Sequence, residues 1–267
     1  MRLPPSDFPA ENPRTQTRPF HTLTVRHNMN KTLRQILSIG ILTLFLTQIG
    51  FSQSIEKFVD STIKVDSLNV PTDLNQPYFP KEMFPEVSTD WIKKNDSSYT
   101  IKTKTIKGTY DEFVVDWYSK HLHAMKEPLL FNRKIDKEIY RFTWLRTFDK
   151  PMTFRFEKRN DRYILYWKVL SGAGGYEPGE IEIERLKILT EKEWTEFIQL
   201  IGKSDFWNMD LGRSSIGTDG SEWIMEGVNQ TNYRVISIWS PSKGNFYNAC
   251  NYLISLTNLK ISEKKKY

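Results

Sequence analysis

Acidic residues in the second half of the sequence are the candidates for chemistry. They are Glu177, Asp219, Glu222 and Glu226. All four come from predicted loops or strand ends, and Trp223 and Trp239 lie nearby in the sequence. Paired carboxyl groups beside aromatic rings are typical of enzymes that cleave glycans. Nothing in their spacing requires such a pair, and charged residues on a sheet surface are usually solvated. A carboxylate-dependent hydrolase acting on a glycan is therefore an alternative interpretation, and no catalytic residue is assigned.

Histidine and cofactor chemistry have less support in the sequence. His121 and His123 are two residues apart, which places them on opposite sides of a helix, whereas helical zinc ligands are four apart. The glycine-rich stretch from Ser171 to Gly179 is followed by a predicted strand and not by the helix that a dinucleotide site needs. We therefore predict a hairpin loop there, no metal site and no cofactor, with Tyr176 and Glu177 as rim contacts if a ligand binds.

Arg146 is unusual because it falls on the same side of a predicted strand as Tyr140, Phe142 and Trp144. A guanidinium on an aromatic face needs a carboxylate or a ring as a partner. Glu226 lies on the same side of its predicted strand as Ile224 and Val228, so it is expected to point inward. The sequence therefore predicts that Arg146 and Glu226 form a buried polar pair. The alternative is that Arg146 lies at a strand end and reaches water.

Residues 29–52 have the layout of a signal peptide. Lys31 and Arg34 precede a mostly apolar run, and Gly50-Phe51-Ser52 supplies the small residues that a signal peptidase requires. We expect cleavage after Ser52 and export to the periplasm or medium, with a retained N-terminal membrane anchor as the alternative. Residues 1–28 precede the signal and are interpreted as a non-structural extension or a mis-assigned start.

The charge balance gives no indication of a nucleic-acid partner. Residues 1–52 hold six of the 38 basic and two of the 32 acidic residues, so the remainder is nearly neutral. Its charges are interspersed except in the basic tail, residues 261–267. The hydrophobic fraction of 39% and the charged fraction of 26% exclude collagen-like and wholly disordered classes. We predict neither nucleic-acid binding nor membrane association after cleavage.

Residues 109–260 contain the regular patterns of one α+β domain, and residues 53–108 form a proline-containing irregular lead-in with at most one strand. The periodicities predict helices within 110–126, 190–202 and after 242, with short strands between them. Thr190-Glu191-Lys192-Glu193 is a capping box. The turns are too short for parallel crossovers, which predicts a largely antiparallel sheet with the helices packed on one side.

Four blocks of residues together resemble an uncharacterised family of exported bacterial proteins. They are Trp144-Leu145-Arg146-Thr147-Phe148, Gly172 to Gly179, Asp219 to Trp223 with Glu226-Gly227-Val228, and Trp239-Ser240-Pro241. The resemblance covers residues 111–259 and implies export and a shared fold, not an activity. Tyr233-Arg234 stands where members tend to have Tyr-His, which counts further against a histidine-based mechanism.

The functional expectation is a non-catalytic binding or interaction module with an unknown envelope protein or glycan as its partner. Aromatic residues make up 13% of the chain, and aromatic-rich strands build cores or contact surfaces. Possible rim residues of a binding site are Tyr176, Glu177, Asp219, Trp223 and Trp239. The sequence does not indicate an oligomeric state.

Overall fold

The computed structural model describes residues 53–95, 98–211 and 219–266. All of them belong to one compact unit, residues 49–267. The predicted signal peptide and the extension before it lie outside the described residues. No helix within the described ranges is long and apolar enough to cross a membrane.

The described residues form nine strands and three α-helices. The strands are β1 (Gln53–Ser54), β2 (Pro85–Asn95), β3 (Ser98–Tyr110), β4 (Glu138–Arg146), β5 (Met152–Arg159), β6 (Arg162–Leu170), β7 (Ile181–Leu189), β8 (Ser221–Val228) and β9 (Asn232–Trp239). The α-helices are α1 (Glu112–Ala124), α2 (Glu191–Lys203) and α3 (Asn245–Ser255).

The main sheet has seven strands in the order β1-β9-β8-β4-β5-β6-β7, and every neighbouring pair is antiparallel. Strands β2 and β3 form a separate two-stranded hairpin. Short turns join β4 to β5, β5 to β6 and β8 to β9, which allows only antiparallel pairing. The α+β class and the largely antiparallel sheet are confirmed.

One face of the sheet packs against α2 and α3. Tyr140, Phe142 and Trp144 alternate along β4 toward this side and belong to a core that includes Trp194 and Phe197 from α2. The side chain of Thr190 accepts a hydrogen bond from the Glu193 amide, and the Glu193 carboxylate accepts one from the Thr190 amide. This is the predicted capping box, and it fixes the start of α2 just after the edge strand.

The opposite face packs against α1 and the lead-in, so the prediction that the helices lie on one side is wrong for α1. Val114, Tyr118 and Leu122 of α1 share a second core with Ile224 and Val228 of β8. Strand β8 is buried at all of its positions, as a strand covered on both faces must be. Apolar residues of β8 point to both faces of the sheet, so the second face must also be covered by other elements of the protein.

The lead-in contributes to the core even though its first part has little regular structure. Ile55, Tyr78 and Phe79 are essentially inaccessible to solvent and join the second core. Pro85–Asn95 and Ser98–Tyr110 then pair as two long antiparallel strands, where the sequence predicted at most one strand. Segment 53–84 is therefore a structural layer of the domain and not a detached linker.

Candidate functional site

Residues from four sequence blocks meet at one end of the sheet. The backbone amide of Thr147 donates to the Gly220 carbonyl at 2.9 Å, and the Thr147 hydroxyl contacts the same oxygen at 3.0 Å. The amide of Gly175 donates to the Thr147 carbonyl at 3.2 Å, and the Ser221 amide donates to the Ser240 hydroxyl at 2.9 Å. These four sequence blocks are therefore bonded to one another at this end of the sheet.

The glycine-rich loop from Ser171 to Gly179 is held closely against β4, as a hairpin loop between β6 and β7. A Cβ atom at Gly174 would lie 2.5 Å from the backbone nitrogen of Arg146, and one at Gly172 would lie 2.1 Å from the carbonyl oxygen of Glu177. The indole of Trp117 donates to the Gly174 carbonyl at 2.8 Å. The glycines therefore allow the loop backbone to lie directly against neighbouring backbone atoms. The loop holds the next two residues, Tyr176 and Glu177, in a fixed position.

We expect Gly174→Ala to displace this loop and to lower the free energy of unfolding by about 1–3 kcal/mol, because its methyl group would overlap backbone atoms that cannot rotate away. The control is Gly202→Ala near the end of α2, where a Cβ meets nothing within 4 Å and helix propensity favours alanine. Urea denaturation of the two variants measures the difference. Equal stabilities would show that the loop tolerates displacement.

An open cleft of about 980 Å³ lies between the exposed side of α1 and this end of the sheet. We call it the aromatic cleft. Its aromatic lining consists of Phe113, Trp117, Tyr176 and Trp239. Its polar lining consists of Asn75, Gln76, Asp116, Ser119, Lys120, His123, Thr147 and Glu177. The volume lies at the upper end of the range for small-ligand sites, which is enough for an extended ligand.

In the part of the chain whose exposure is described, the largely exposed aromatic side chains lie in this cleft or against its rim. Among residues with described exposure, the aromatic side chains that are largely exposed are Phe113, Phe148 and Tyr176. The rings of Phe148 and Tyr176 contact each other, with their centroids 6.1 Å apart, and those of Phe113 and Trp117 lie 6.3 Å apart. An exposed apolar patch bordered by polar groups marks an interaction site more often than a structural one.

The cleft carries little net charge. Lys120 forms an ion pair with Glu177 at 3.3 Å, and both side chains are solvent-exposed, so this pair adds little stability. Asp116 lines the same surface. His123 contacts the Gln76 carbonyl at 2.8 Å through Nε2 and therefore ties α1 to the lead-in. The polar groups of the cleft can orient a ligand, while its rings supply the contact area.

The structure places the predicted rim residues in different environments. Tyr176, Glu177 and Trp239 line the aromatic cleft. Trp223 does not, because it is fully buried in the first core and its ring contacts Tyr247 of α3. Asp219 is exposed and adjoins Gly220, but it is not part of the cleft lining. The prediction of a rim position is wrong for Trp223, since its strand parity points to the α2–α3 side.

Arg146 and Glu226 do not form the predicted pair, because they lie on opposite faces of the sheet. Arg146 is buried, its guanidinium stacks on the Trp144 ring at 4.4 Å, and it donates to the Lys150 carbonyl at 2.9 Å. Arg146 therefore contacts a ring and a backbone carbonyl in place of Glu226, and it does not reach open water. Glu226 instead lies opposite Arg141 in the β4–β8 register.

Glu226 belongs to a buried ionic cluster on the α1 side of the sheet, made of Glu127, Arg141, Arg155, Lys168 and Glu226. Arg141 donates through Nε to Glu226 Oε2 at 2.9 Å, and the Tyr233 hydroxyl donates to Glu226 Oε1 at 2.6 Å. Burial raises the pKa of Glu226 above its ordinary value, and the partly opposing effects of Arg141 and Tyr233 leave it raised. The carboxyl group has no open path to a ligand.

Glu127 is the centre of this cluster. It follows α1 and descends onto the sheet, where Arg155 Nε donates to Oε2 at 2.8 Å and Lys168 Nζ lies 3.2 Å from Oε1. Burial alone raises the pKa of Glu127, but Arg155, Lys168 and Arg141 together outweigh it and lower the pKa to about 2. The cluster is therefore charged at neutral pH and joins α1 to strands β4, β5 and β6 by ionic contacts.

The four carboxylates considered for catalysis do not form an acid pair at an open site. Glu226 is in the buried ionic cluster, Glu222 is buried and accepts a hydrogen bond from the Ser237 hydroxyl at 2.6 Å, and Asp219 lies outside the cleft lining. Glu177 alone among the four lines the cleft.

The histidine of α1 that faces inward is also structural. His121 is buried, with Nδ1 2.9 Å from the Trp117 carbonyl and Nε2 3.5 Å from the Ala173 carbonyl. Burial lowers its pKa, which keeps the ring neutral near physiological pH. In the part of the chain that the structure describes, no group of three or more His, Cys, Asp or Glu side chains is placed to hold a metal ion.

Sequence reasoning missed the part of the cleft that comes from α1 and the lead-in. Asp116 and Lys120 lie outside the buried stripe of α1, Trp117 is half-buried at its border, and residues 74–77 form the adjoining wall. A signal was available, because Phe113 falls outside the periodic stripe of Val114 and its helical neighbours. An aromatic residue on the polar side of an amphipathic helix indicates a contact surface.

Comparisons with known proteins add no assignment to this site. No protein-family model matches the chain, and a search of curated proteins finds no match.

Proposed function

We propose that the protein is an exported, non-catalytic binding module that holds an extended ligand in the aromatic cleft. The observation that carries this proposal is the concentration of exposed rings at one preorganised cleft. Tyr176 is presented by a loop whose glycines leave it little freedom, so its ring can contact a ligand at a low entropic cost. The proposal includes export through the predicted signal peptide and membership of the uncharacterised family of exported bacterial proteins that the sequence resembles.

A glycan segment is the ligand class that suits the cleft best. The apolar face of a sugar ring can stack on Tyr176 and Trp239, while its hydroxyl groups can bond to the amides of Asn75 and Gln76 and to the carboxylates of Asp116 and Glu177. The mixed charge of the lining favours a neutral polyhydroxylated ligand over a strongly charged one. Hydrolysis is not part of the proposal, since Glu226 is buried and already bonded to Arg141 and Tyr233.

The proposal is tested by screening the purified protein against an array of envelope and environmental glycans and against envelope proteins. We expect at least one glycan to bind, and Tyr176→Ala to weaken that binding about tenfold by removing an exposed stacking ring. Leu186→Ala, which removes an exposed apolar side chain far along β7, is the matched control and should leave affinity unchanged.

The outcomes of this screen separate the alternatives. Binding of a protein and of no glycan would contradict the proposed ligand class. Turnover of a glycan that disappears in Glu177→Gln would favour the hydrolase, because Glu177 is the accessible member of the candidate carboxylates. Absence of any binding partner would remove the positive support for a binding module.

A further inference from the structure

A second concavity, separate from the aromatic cleft, lies where the turn after α1 meets strands β5, β6 and β7. We call it the basic groove. Its volume is about 280 Å³, and it shares no lining residue with the aromatic cleft. Seven of its lining residues are basic and two are acidic. The basic residues are Lys126, Arg133, Lys137, Arg155, Arg159, Lys168 and Arg185, and the acidic ones are Glu157 and Glu184.

The acidic residues do not neutralise the groove. Glu157 is buried and contacts Arg155 and Arg159, while Glu184 is exposed and pairs with Lys168 at 3.3 Å. Beneath the floor, Glu127 compensates Arg155 and Lys168. Within the described part of the chain, no carboxylate lies within ion-pair distance of the remaining cations. These are Lys126, Arg133, Lys137 and Arg185.

Two features indicate that the groove is a preorganised site and not a chance cluster of surface cations. Its inner cations, Arg155 and Lys168, are nearly buried and held in place by Glu127 and by the Met125 carbonyl, which accepts from Lys168 Nζ at 2.7 Å. The cations are also crowded, because burial and the charges of Arg159 and Arg133 lower the pKa of Lys137 although the charge of Asp136 opposes them. An anion in the groove would relieve this repulsion.

We propose that the basic groove binds a phosphate-type oxyanion, either free or carried by a small solute such as a sugar phosphate. The outer cations, Arg133, Lys137 and Arg185, can approach the ligand from the open side, and Arg guanidinium groups pair with tetrahedral oxyanions through two N–H bonds. The volume suits one such group with a small substituent and is too small for a folded partner or a long polymer.

The experiment is isothermal titration calorimetry of the full mature chain with two probes, inorganic phosphate and glucose 6-phosphate. We expect binding of at least one probe at low ionic strength, with affinity falling as salt is added. We expect Arg133→Gln and Lys137→Gln each to weaken binding about tenfold, since each removes a charge-assisted contact. Equal affinity for the two probes identifies the free ion as the ligand, and tighter binding of the sugar phosphate identifies the phosphorylated solute.

Lys192→Gln is the matched control, because it removes one exposed positive charge from α2 outside the groove. Circular dichroism and thermal unfolding of all three variants verify that they are folded. The proposal is overturned if neither probe binds the wild-type chain, or if Lys192→Gln weakens binding as much as Arg133→Gln and Lys137→Gln do, since the effect would then reflect net charge alone. Unchanged affinity in both groove variants would also overturn it.

Discussion

Replacing Glu127 with glutamine lowers the free energy of unfolding by about 3–5 kcal/mol near neutral pH, the range expected when one member of a buried ionic group is removed. Glu127 is fully buried, and its carboxylate faces Arg155, Lys168 and Arg141. Glutamine preserves the shape of the side chain but removes the buried negative charge that these three cations share. Urea denaturation of the wild type and the variant measures the loss.

The stability attributed to Glu127 depends on pH in a direction fixed by its pKa. The pKa of this group falls from an ordinary 4.5 to about 2 in the folded protein, so its contribution is complete above about pH 4.5 and is lost as the pH falls toward 2. The shift corresponds to about 3 kcal/mol. The difference between wild type and Glu127→Gln should therefore shrink progressively below about pH 4.5.

Glu184, an exposed carboxylate next to the buried ionic cluster, provides a control for this prediction. Glu184 also pairs with Lys168, at 3.3 Å, but its side chain is largely exposed. Glu184→Gln should change stability by no more than about 1 kcal/mol, because water screens an exposed pair. If Glu184→Gln and Glu127→Gln cost the same, or if the cost of Glu127→Gln does not depend on pH, the buried ionic cluster does not hold α1 to the sheet as described.

Phe79→Ala is the second substitution with a large expected effect, a loss of about 3–5 kcal/mol. Phe79 belongs to the lead-in, yet it is 2% exposed and its ring contacts those of Phe84 and Tyr118. Removing it leaves a cavity between the lead-in and α1. Leu68→Ala, in the same segment but at a side chain that is 74% exposed, should cost less than about 0.5 kcal/mol. Similar small effects for both would show that the lead-in is a dispensable extension of the domain.

The sequence predicted those parts of the fold that depend on local patterns. The capping box at Thr190 and the stripe on α2 fixed that helix, and alternation with short turns indicated antiparallel strands. It could not show what covers the second face of the sheet, because that depends on contacts between distant segments. Residues such as Ile55 and Phe79 are scattered among polar ones, and only the folded chain reveals that they share a core with β8.

The partner of a buried charge was equally inaccessible to local reasoning. Strand parity correctly indicated an inward Glu226, but a single strand does not show which face is which. The register that aligns Arg141 with Glu226 depends on the pairing of β4 with β8, and these two residues are 85 positions apart in the sequence. For the same reason Trp223, close in sequence to a predicted rim, lies in the core. Tyr176, Glu177 and Trp239 line the cleft, as a loop and a strand end allow, and their contact with a ligand stays a prediction.

The most direct test of the central claim is nuclear magnetic resonance mapping of the aromatic cleft with the tightest glycan from the array. The reporters are the indole N–H of Trp117, which is bonded to Gly174, and the amides of Gly175, Tyr176 and Glu177. We expect saturable shifts of these resonances together with that of the Trp239 indole, while the indole of the buried Trp223 stays unchanged. Shifts confined to other surfaces, with the cleft resonances unmoved at saturation, would contradict the assignment of this cleft as the binding site.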